Sequence, residues 1–188
     1  MKKYLILVKH SLPEIIENVP ARDWALSEEG RARAKRLAEL LTRFQPELIV
    51  SSAESKARET AEIIAKAHHR ERQIAEGLHE HDRSNVPYLT TDEFQASVYK
   101  LFQRPDQLVF GNETANQAYA RFAKAVDSVL MSHAGKTIVM VAHGTVISLY
   151  VSRIIGISDL SLWKEMGLPS FLVLDLESNT LVARENNI

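Results

Sequence analysis

The chain has 188 residues, a length that suits a single domain with a sizeable hydrophobic core. Its formal net charge is -1, which argues against a nucleic-acid-binding surface or a polybasic membrane contact. It contains no cysteine, which excludes a disulfide framework, a thiolate zinc site and a cysteine nucleophile, and is compatible with a reducing cytosol.

The first predicted element is a strand at Tyr4–Val8, where a continuous apolar run indicates burial on both faces, as in a parallel sheet. The run is too short for the hydrophobic region of a signal peptide, and charge follows it at Lys9. No run elsewhere approaches the roughly 20 apolar residues of a membrane-spanning helix. We therefore expect a cytoplasmic protein without a membrane segment.

The next predicted elements are a helix, a second buried strand and a second helix. Ser27 is the expected N-cap of the first of these helices. Its apolar face has the spacing i, i+3, i+4, i+7 and consists of Ala34, Leu37, Ala38 and Leu41. The second strand is predicted at Glu47–Ser51 and the second helix at 54–67.

The C-terminal half begins with its least legible segment, 84–110, which mixes aromatic and turn residues and is interpreted as a helical insertion or lid. A helix at Glu113–Met131 follows, then a buried strand at Thr137–Val141 and a mostly buried helix ending near Gly156. Two apolar runs within 171–184 flank a turn and predict a hairpin.

This order of elements favours an α/β fold, because strands alternate with helices through most of the chain. We expect a three-layer α/β/α sandwich whose central sheet is mostly parallel. No repeat, linker or low-complexity stretch divides the sequence, so residues 1–188 are interpreted as a single domain.

Polar residues follow the three buried strands at their C-terminal ends. They are Lys9-His10-Ser11, Ser51-Ser52 and His143-Gly144-Thr145. Ligands of open parallel sheets bind outside these ends, so the three groups are expected to line one crevice. Lys56 adds a cation in the first turn of a helix, where free N–H groups favour an anion, and Gly144 allows close backbone approach. Such a crevice suits a phosphate.

The same stretches resemble the histidine phosphatase family, which has the phosphoglycerate mutase-like fold. The order and spacing of the motifs agree from Tyr4 to about Ile155, and the correspondence is poor only at 84–110, where that family is variable. The matching stretches are "LILVKHS", "WALSEEGRARAKRLAELL", "IVSSAESKARETAEIIA", "LHEHD", "GNET" and "VMVAHGTVISL".

Two phosphate-binding arginines in the pattern of this family are lysines in this chain. The family has Arg-His-Gly after the first strand, whereas this chain has Lys9-His10-Ser11. A second family arginine corresponds to Lys56 here. Lysine keeps the positive charge but lacks the planar fork of arginine, so catalytic efficiency is in question while the fold is not.

The resemblance implies a role for each matching residue. His10 would be the nucleophile that becomes a phosphohistidine, and His143 would donate to the phosphoryl oxygens. Lys9 and Lys56 would neutralise the phosphate. Glu80 would be the general acid that protonates the leaving oxygen and later activates water.

Several assignments near the site remain open. Asp82 is an alternative acid, and Ser11 either binds the phosphate or only shapes a turn. The sequence from His79 to Asp82 contains metal-ligand types, but two histidines at i, i+2 are a weak metal signal. His79 and His81 are better interpreted as parts of an exposed polar loop, and Glu113 as a helix cap.

The sequence thus predicts a metal-independent phosphate monoester hydrolase with a phosphohistidine intermediate and no cofactor. Its partner would be a small phosphorylated substrate or a phosphoprotein, and neither nucleic acid nor a membrane. Two alternatives are a phosphoglycerate mutase-type phosphotransferase and a catalytically weakened, phosphate-binding regulatory module. The two lysine replacements motivate the last of these.

Overall fold

The computed structural model describes residues 2–188 and contains one sheet. Over these residues the strands are β1 (Tyr4–Lys9), β2 (Leu48–Ser51), β3 (Arg72–Ile74), β4 (Ile138–Ala142), β5 (Ser170–Asp175) and β6 (Thr180–Glu185). Their order is β3-β2-β4-β1-β5-β6. The pairs β3–β2, β2–β4 and β4–β1 are parallel, whereas β5 and β6 join antiparallel. The prediction of a mostly parallel sheet and a C-terminal hairpin is therefore confirmed.

Helices cover both faces of this sheet. They are α1 (Glu28–Leu41), α2 (Ser55–His68), α3 (Thr91–Gln103), α4 (Ala115–Ser132), α5 (Gly144–Ile155) and α6 (Asp159–Glu165). Short 3-10 turns lie at Ala21–Asp23 and Thr42–Phe44. None of the helices within residues 2–188 has the length and apolar character needed to cross a membrane.

Helix caps explain where the main helices begin and end. The Ser27 hydroxyl accepts a hydrogen bond from the Gly30 N–H at 3.0 Å, as predicted for an N-cap. Helix α5 ends at Gly156, whose positive φ of 71° is favourable for glycine. The prediction that Glu113 caps α4 is wrong, because Thr114 forms the capping box.

Two hydrophobic cores lie on opposite faces of the sheet, because successive strand residues point to opposite sides. Helices α1 and α2 pack on one face, against Ile6, Val8, Ile49, Val139, Val141 and Val173. Helices α3, α4, α5 and α6 pack on the other, against Leu5, Leu7, Val50, Ile138, Met140 and Leu172. Burial of each such side chain contributes about 1.5–3 kcal/mol. The three-layer α/β/α architecture is thereby confirmed.

The segment 84–110 contains α3, so its helical interpretation is confirmed, while a role as a lid stays a prediction. Val98, Leu101 and Phe102 bury the inner side of α3 in the core. Phe102 also lies 6.5 Å from the ring of Trp163 in α6. The contact with Trp163 joins α3 to the end of the molecule that carries the polar strand ends, because Trp163 lies beside Gly144.

Candidate active site

The site is built at the C-terminal ends of β1 and β4. These strands are parallel neighbours, and Lys9 pairs with Ala142 in their register. His10 and His143 follow these two residues and lie side by side, with ring centroids 5.2 Å apart. The predicted convergence of the two histidines at one sheet edge is confirmed. Ser52 follows β2, and its hydroxyl oxygen lies 2.7 Å from His143 Nε2.

His10 is held in a defined tautomer. Its Nδ1 lies 2.8 Å from the carbonyl oxygen of Ser11, and a carbonyl can only accept, so Nδ1 carries the hydrogen. Burial lowers the pKa of His10 well below its usual value, and the charges of His143 and Lys56 lower it further. The ring is therefore neutral at pH 7 and has a free lone pair on Nε2, the form that a nucleophile requires.

His143 is fully buried and also neutral. Burial lowers the pKa of His143 to about 4, even though the Glu54 carboxylate opposes the shift. Glu54 Oε1 lies 3.4 Å from His143 Nε2 and can only accept, which favours a hydrogen on Nε2. The ring can thus donate a hydrogen bond to an anion while remaining uncharged.

Lys9 brings an ammonium group into the same pocket. Its Nζ donates to the carbonyl oxygen of Met166 at 2.7 Å. Burial lowers the pKa of Lys9 to about 8, although the charge of Glu80 opposes this shift. A Cβ at Gly144 would lie 3.2 Å from Lys9 Cε, so the glycine provides room for the lysine side chain.

Lys56 supplies the second ammonium group from the first turn of α2. Its side chain is 8% exposed, and its Nζ donates at 2.6 Å both to the carbonyl oxygen of Ala21 and to Glu54 Oε2. An ammonium group has three hydrogens, so one remains for a ligand. Lys56 is therefore buried and Lys9 is partly buried, and neither is the solvated surface cation that a lysine usually is.

Glu54 is a site residue that the sequence analysis missed. Its carboxylate contacts Lys56 and His143, and Oε1 accepts from the Glu80 N–H at 2.9 Å. Burial alone would raise the pKa of Glu54, but the charges of His143 and Lys56, with these hydrogen bonds, hold it well below its usual range. The pocket therefore contains an ionised carboxylate.

Glu80 lies at the N-terminal end of α5, directly beyond His143. Its two carboxylate oxygens accept from the backbone N–H groups of Thr145 at 3.2 Å and Val146 at 3.3 Å. The position suits an acid that faces the leaving group of a phosphate held between the histidines.

Glu80 is ionised in this arrangement. Burial by itself would raise the pKa of Glu80, but the charges of Arg83 and His143 and a hydrogen bond from the His81 N–H lower it below the usual value. A phosphoryl group beside Glu80 would raise that pKa again, because like charges disfavour ionisation. Glu80 can therefore gain a proton when an anionic ligand binds.

Asp82, the alternative acid, has a different environment. Its carboxylate accepts from the Ser84 N–H at 3.0 Å and the Asn112 side chain at 3.2 Å, and so braces the loop. His81 is 2% exposed, its Nε2 donates to the Glu113 carbonyl oxygen at 2.8 Å, and its ring packs on Phe110, so its assignment to an exposed loop is wrong. Within residues 2–188, no three His, Asp or Glu side chains form a group that could hold a metal ion.

Ser11 is buried behind His10 and serves the turn. Its hydroxyl donates to Gly30 O at 2.7 Å, and its backbone N–H donates to Thr60 Oγ1 at 3.0 Å. The hydroxyl hydrogen is thus already used. Of the two roles left open for Ser11, this geometry favours the turn over phosphate binding.

Arg121 fixes the loop that carries Glu80. The guanidinium donates to the carbonyl oxygens of Gly77 at 2.7 Å, His79 at 3.0 Å and Glu80 at 3.2 Å, and it pairs with Glu113. Glu113 thus anchors Arg121 instead of capping a helix. This one side chain thus donates to three carbonyl oxygens of the loop.

Arg121→Met should lower the free energy of unfolding by about 2–4 kcal/mol, because it leaves partly buried carbonyl groups without a donor and removes the ion-pair partner of Glu113. Guanidinium denaturation measures this change. Lys124→Met, at an exposed position of the same helix, is the matched control and should change stability little. Equal stability of the two variants would mean that the loop does not depend on Arg121.

A family model and a curated relative both place this chain among known proteins. The family model "Histidine phosphatase superfamily (branch 1)" matches residues 5–188. "Phosphoglycerate mutase-like protein 4" of Arabidopsis thaliana is 34% identical over 138 residues, which are 68% of this chain. The aligned region spans only 60% of that relative.

Solved structures share the fold over nearly the whole chain. YhfR of Bacillus stearothermophilus is 26% identical, with a TM-score of 0.77 and coverage of 99% of this chain and 98% of that chain. A mycobacterial hydrolase is 24% identical, with a TM-score of 0.79 and coverage of 100% and 92%. A phosphoserine phosphatase mutant from Entamoeba histolytica is 19% identical, with a TM-score of 0.78 and coverage of 97% and 96%. The last two similarities, below 25% identity, concern the fold alone.

Proposed function

The chain belongs to the histidine phosphatase superfamily, and from this membership we propose that it hydrolyses phosphate monoesters through a phosphohistidine at His10. The observation that carries the proposal is the neutral His10 ring, with Nε2 free, 5.2 Å from His143. Two ammonium groups, on the partly buried Lys9 and the buried Lys56, complete an environment for a phosphoryl group.

In the first step the lone pair of His10 Nε2 attacks phosphorus, and the P–O bond to the leaving alcohol breaks. The alcohol oxygen takes a proton from Glu80. Glu80 carries this proton because the negative charge of the phosphoryl group raises its pKa. In the second step Glu80 accepts a proton from water, the water oxygen bonds to phosphorus, and the P–N bond breaks. His143, Lys9 and Lys56 stabilise the negative charge on the phosphoryl oxygens in both steps.

The substrate under this proposal is a small phosphorylated molecule or a phosphoprotein. If the hydroxyl of a second substrate replaced water, the same chemistry would make a mutase-type phosphotransferase. A different candidate is a regulatory module that binds phosphate without turnover. The lysines at positions 9 and 56 favour this candidate, because an ammonium group keeps the charge that binds phosphate but lacks the planar fork of a guanidinium.

We expect the purified protein to release p-nitrophenol from p-nitrophenyl phosphate in the presence of EDTA, since no step uses a metal ion. kcat/KM should fall above about pH 8, because Lys9 is protonated below its pKa of about 8 and loses its charge as the pH rises through that value. In Lys9→Arg the fall should move to higher pH, because a guanidinium stays charged.

The same assay separates the alternatives. Activity that disappears with EDTA would contradict the metal-independent scheme. No hydrolysis, with retained binding of inorganic phosphate, would support the regulatory module instead. An alkaline limb that is identical in wild type and Lys9→Arg would mean that another group controls the pH dependence.

A further inference from the structure

The pocket proposed to bind phosphate already contains an anion of the chain itself. We propose that Glu54 is a built-in counter-anion, whose carboxylate occupies the phosphoryl-binding groups of the resting pocket and must be displaced before a phosphate binds. The inference rests on the proposed function, because it takes Lys56 and His143 as phosphate ligands. It assigns to Glu54 the role of setting how tightly anions bind.

Two of the contacts of Glu54, with Lys56 and His143, are contacts expected of a phosphoryl group. One carboxylate oxygen accepts from Lys56 Nζ at 2.6 Å. The other lies 3.4 Å from His143 Nε2 and 2.9 Å from the Glu80 backbone nitrogen, which donates to it. A carboxylate and a phosphoryl group both present oxygen acceptors, and they compete for the same hydrogens.

The position of Glu54 in α2 supports a role beyond helix formation. Glu54 is the N-cap residue of α2, yet its side chain makes no capping hydrogen bond to the helix. N-cap side chains ordinarily satisfy a free N–H of the first turn. The carboxylate instead turns into the pocket, where its side chain is 12% exposed. Little solvent screens its interaction with Lys56.

The charges that face the pocket show how the Glu54 carboxylate affects anion binding. Lys9, Lys56 and Arg83 contribute positive charge, Glu54 and Glu80 contribute negative charge, and both histidines are neutral at pH 7. Loss of the Glu54 charge therefore leaves one more unit of positive charge for a ligand that carries nearly two negative charges. The carboxylate also returns to Lys56 as phosphate leaves, which favours product release.

The test compares the binding of inorganic phosphate to wild type and Glu54→Gln by isothermal titration calorimetry at pH 7. The neutral amide keeps the shape of the side chain and frees the Lys56 ammonium group. We expect the dissociation constant of phosphate to fall by about tenfold or more, as for one charge-assisted hydrogen bond. Vanadate inhibition of p-nitrophenyl phosphate hydrolysis should become tighter in parallel.

Three further variants make the result specific. Glu62→Gln lies on the same helix, with a side chain that is 43% exposed, and it should leave phosphate binding unchanged. Glu54→Gln combined with Lys56→Met should lose the gain, because the freed ammonium group is gone. Glu54→Ala removes the carboxylate by a second route and should also bind phosphate more tightly than wild type.

Phosphate binding that is unchanged or weaker in both Glu54 variants would overturn the inference and make Glu54 a residue that positions Lys56. If wild type hydrolyses p-nitrophenyl phosphate in that case, the proposed function stands and only the counter-anion fails. If neither wild type nor the Glu54 variants bind phosphate, and none hydrolyses the ester, both proposals are wrong.

Discussion

His10→Ala should lower kcat for p-nitrophenyl phosphate by a factor on the order of 10⁵, because the variant has no group that can form the phosphohistidine. Water would have to attack phosphorus directly, because no nucleophilic side chain would be left to accept the phosphoryl group. The fold should survive, since His10 lies beyond the last residue of β1 and outside both apolar cores. Steady-state kinetics and a thermal unfolding curve measure the two effects separately.

A matched control for this variant is His69→Asn. His69 is exposed at the C-terminal end of α2, where its φ of 52° suits asparagine. It should keep the wild-type kcat. If His10→Ala instead retains wild-type hydrolysis while it remains folded, the nucleophile lies elsewhere in the molecule.

Glu80→Gln should slow the hydrolysis of alkyl phosphates by about 10²–10⁴-fold, the usual contribution of a positioned general acid. The effect on p-nitrophenyl phosphate should be far smaller, because nitrophenolate leaves without needing a proton. The amide still accepts through its oxygen at the N-terminal end of α5, so the loop should keep its place. The measurement is kcat/KM across leaving groups of increasing pKa.

Asp82→Asn provides the matched control, because it lies only two residues away in the same loop. Asp82→Asn should either slow the hydrolysis of esters with good and poor leaving groups equally or leave both rates unchanged. A leaving-group dependence that appears in Asp82→Asn and not in Glu80→Gln would move the acid to Asp82. Equal slowing of all substrates by Glu80→Gln would make Glu80 a residue that positions the substrate.

Much of the fold could be predicted because buried parallel strands are continuous apolar runs. The predicted strands at Tyr4–Val8 and Thr137–Val141 differ from β1 and β4 by one residue at the ends. By contrast, β3 has only three residues, Arg72–Ile74, at the edge of the sheet, which is too few for a hydrophobic period to be recognised. Helix α6, seven residues long, was missed for the same reason.

Some residues of the site could likewise be predicted from the sequence, and others could not. The meeting of His10 and His143 follows from topology, since parallel neighbouring strands end at the same edge. Glu54 was not predicted, because a glutamate at the start of a charge-rich helix is ordinarily a solvated or capping residue. Its direction into the pocket depends on Lys56 and on the loop before Glu80, which are brought together only by the tertiary fold. The burial of His81 depends likewise on Phe110.

The most direct test of the account is the location of the phosphoryl group on the enzyme during turnover. Wild type is quenched into alkali while it hydrolyses p-nitrophenyl phosphate, digested with trypsin and analysed by mass spectrometry. Cleavage after Lys9 and Arg22 yields a peptide in which His10 is the one histidine, whereas His143 lies in another peptide. We expect an acid-labile phosphoryl group on His10, absent from His10→Ala. A phosphoryl group on His143, or turnover without any acid-labile phosphate on the His10 peptide, would contradict the account.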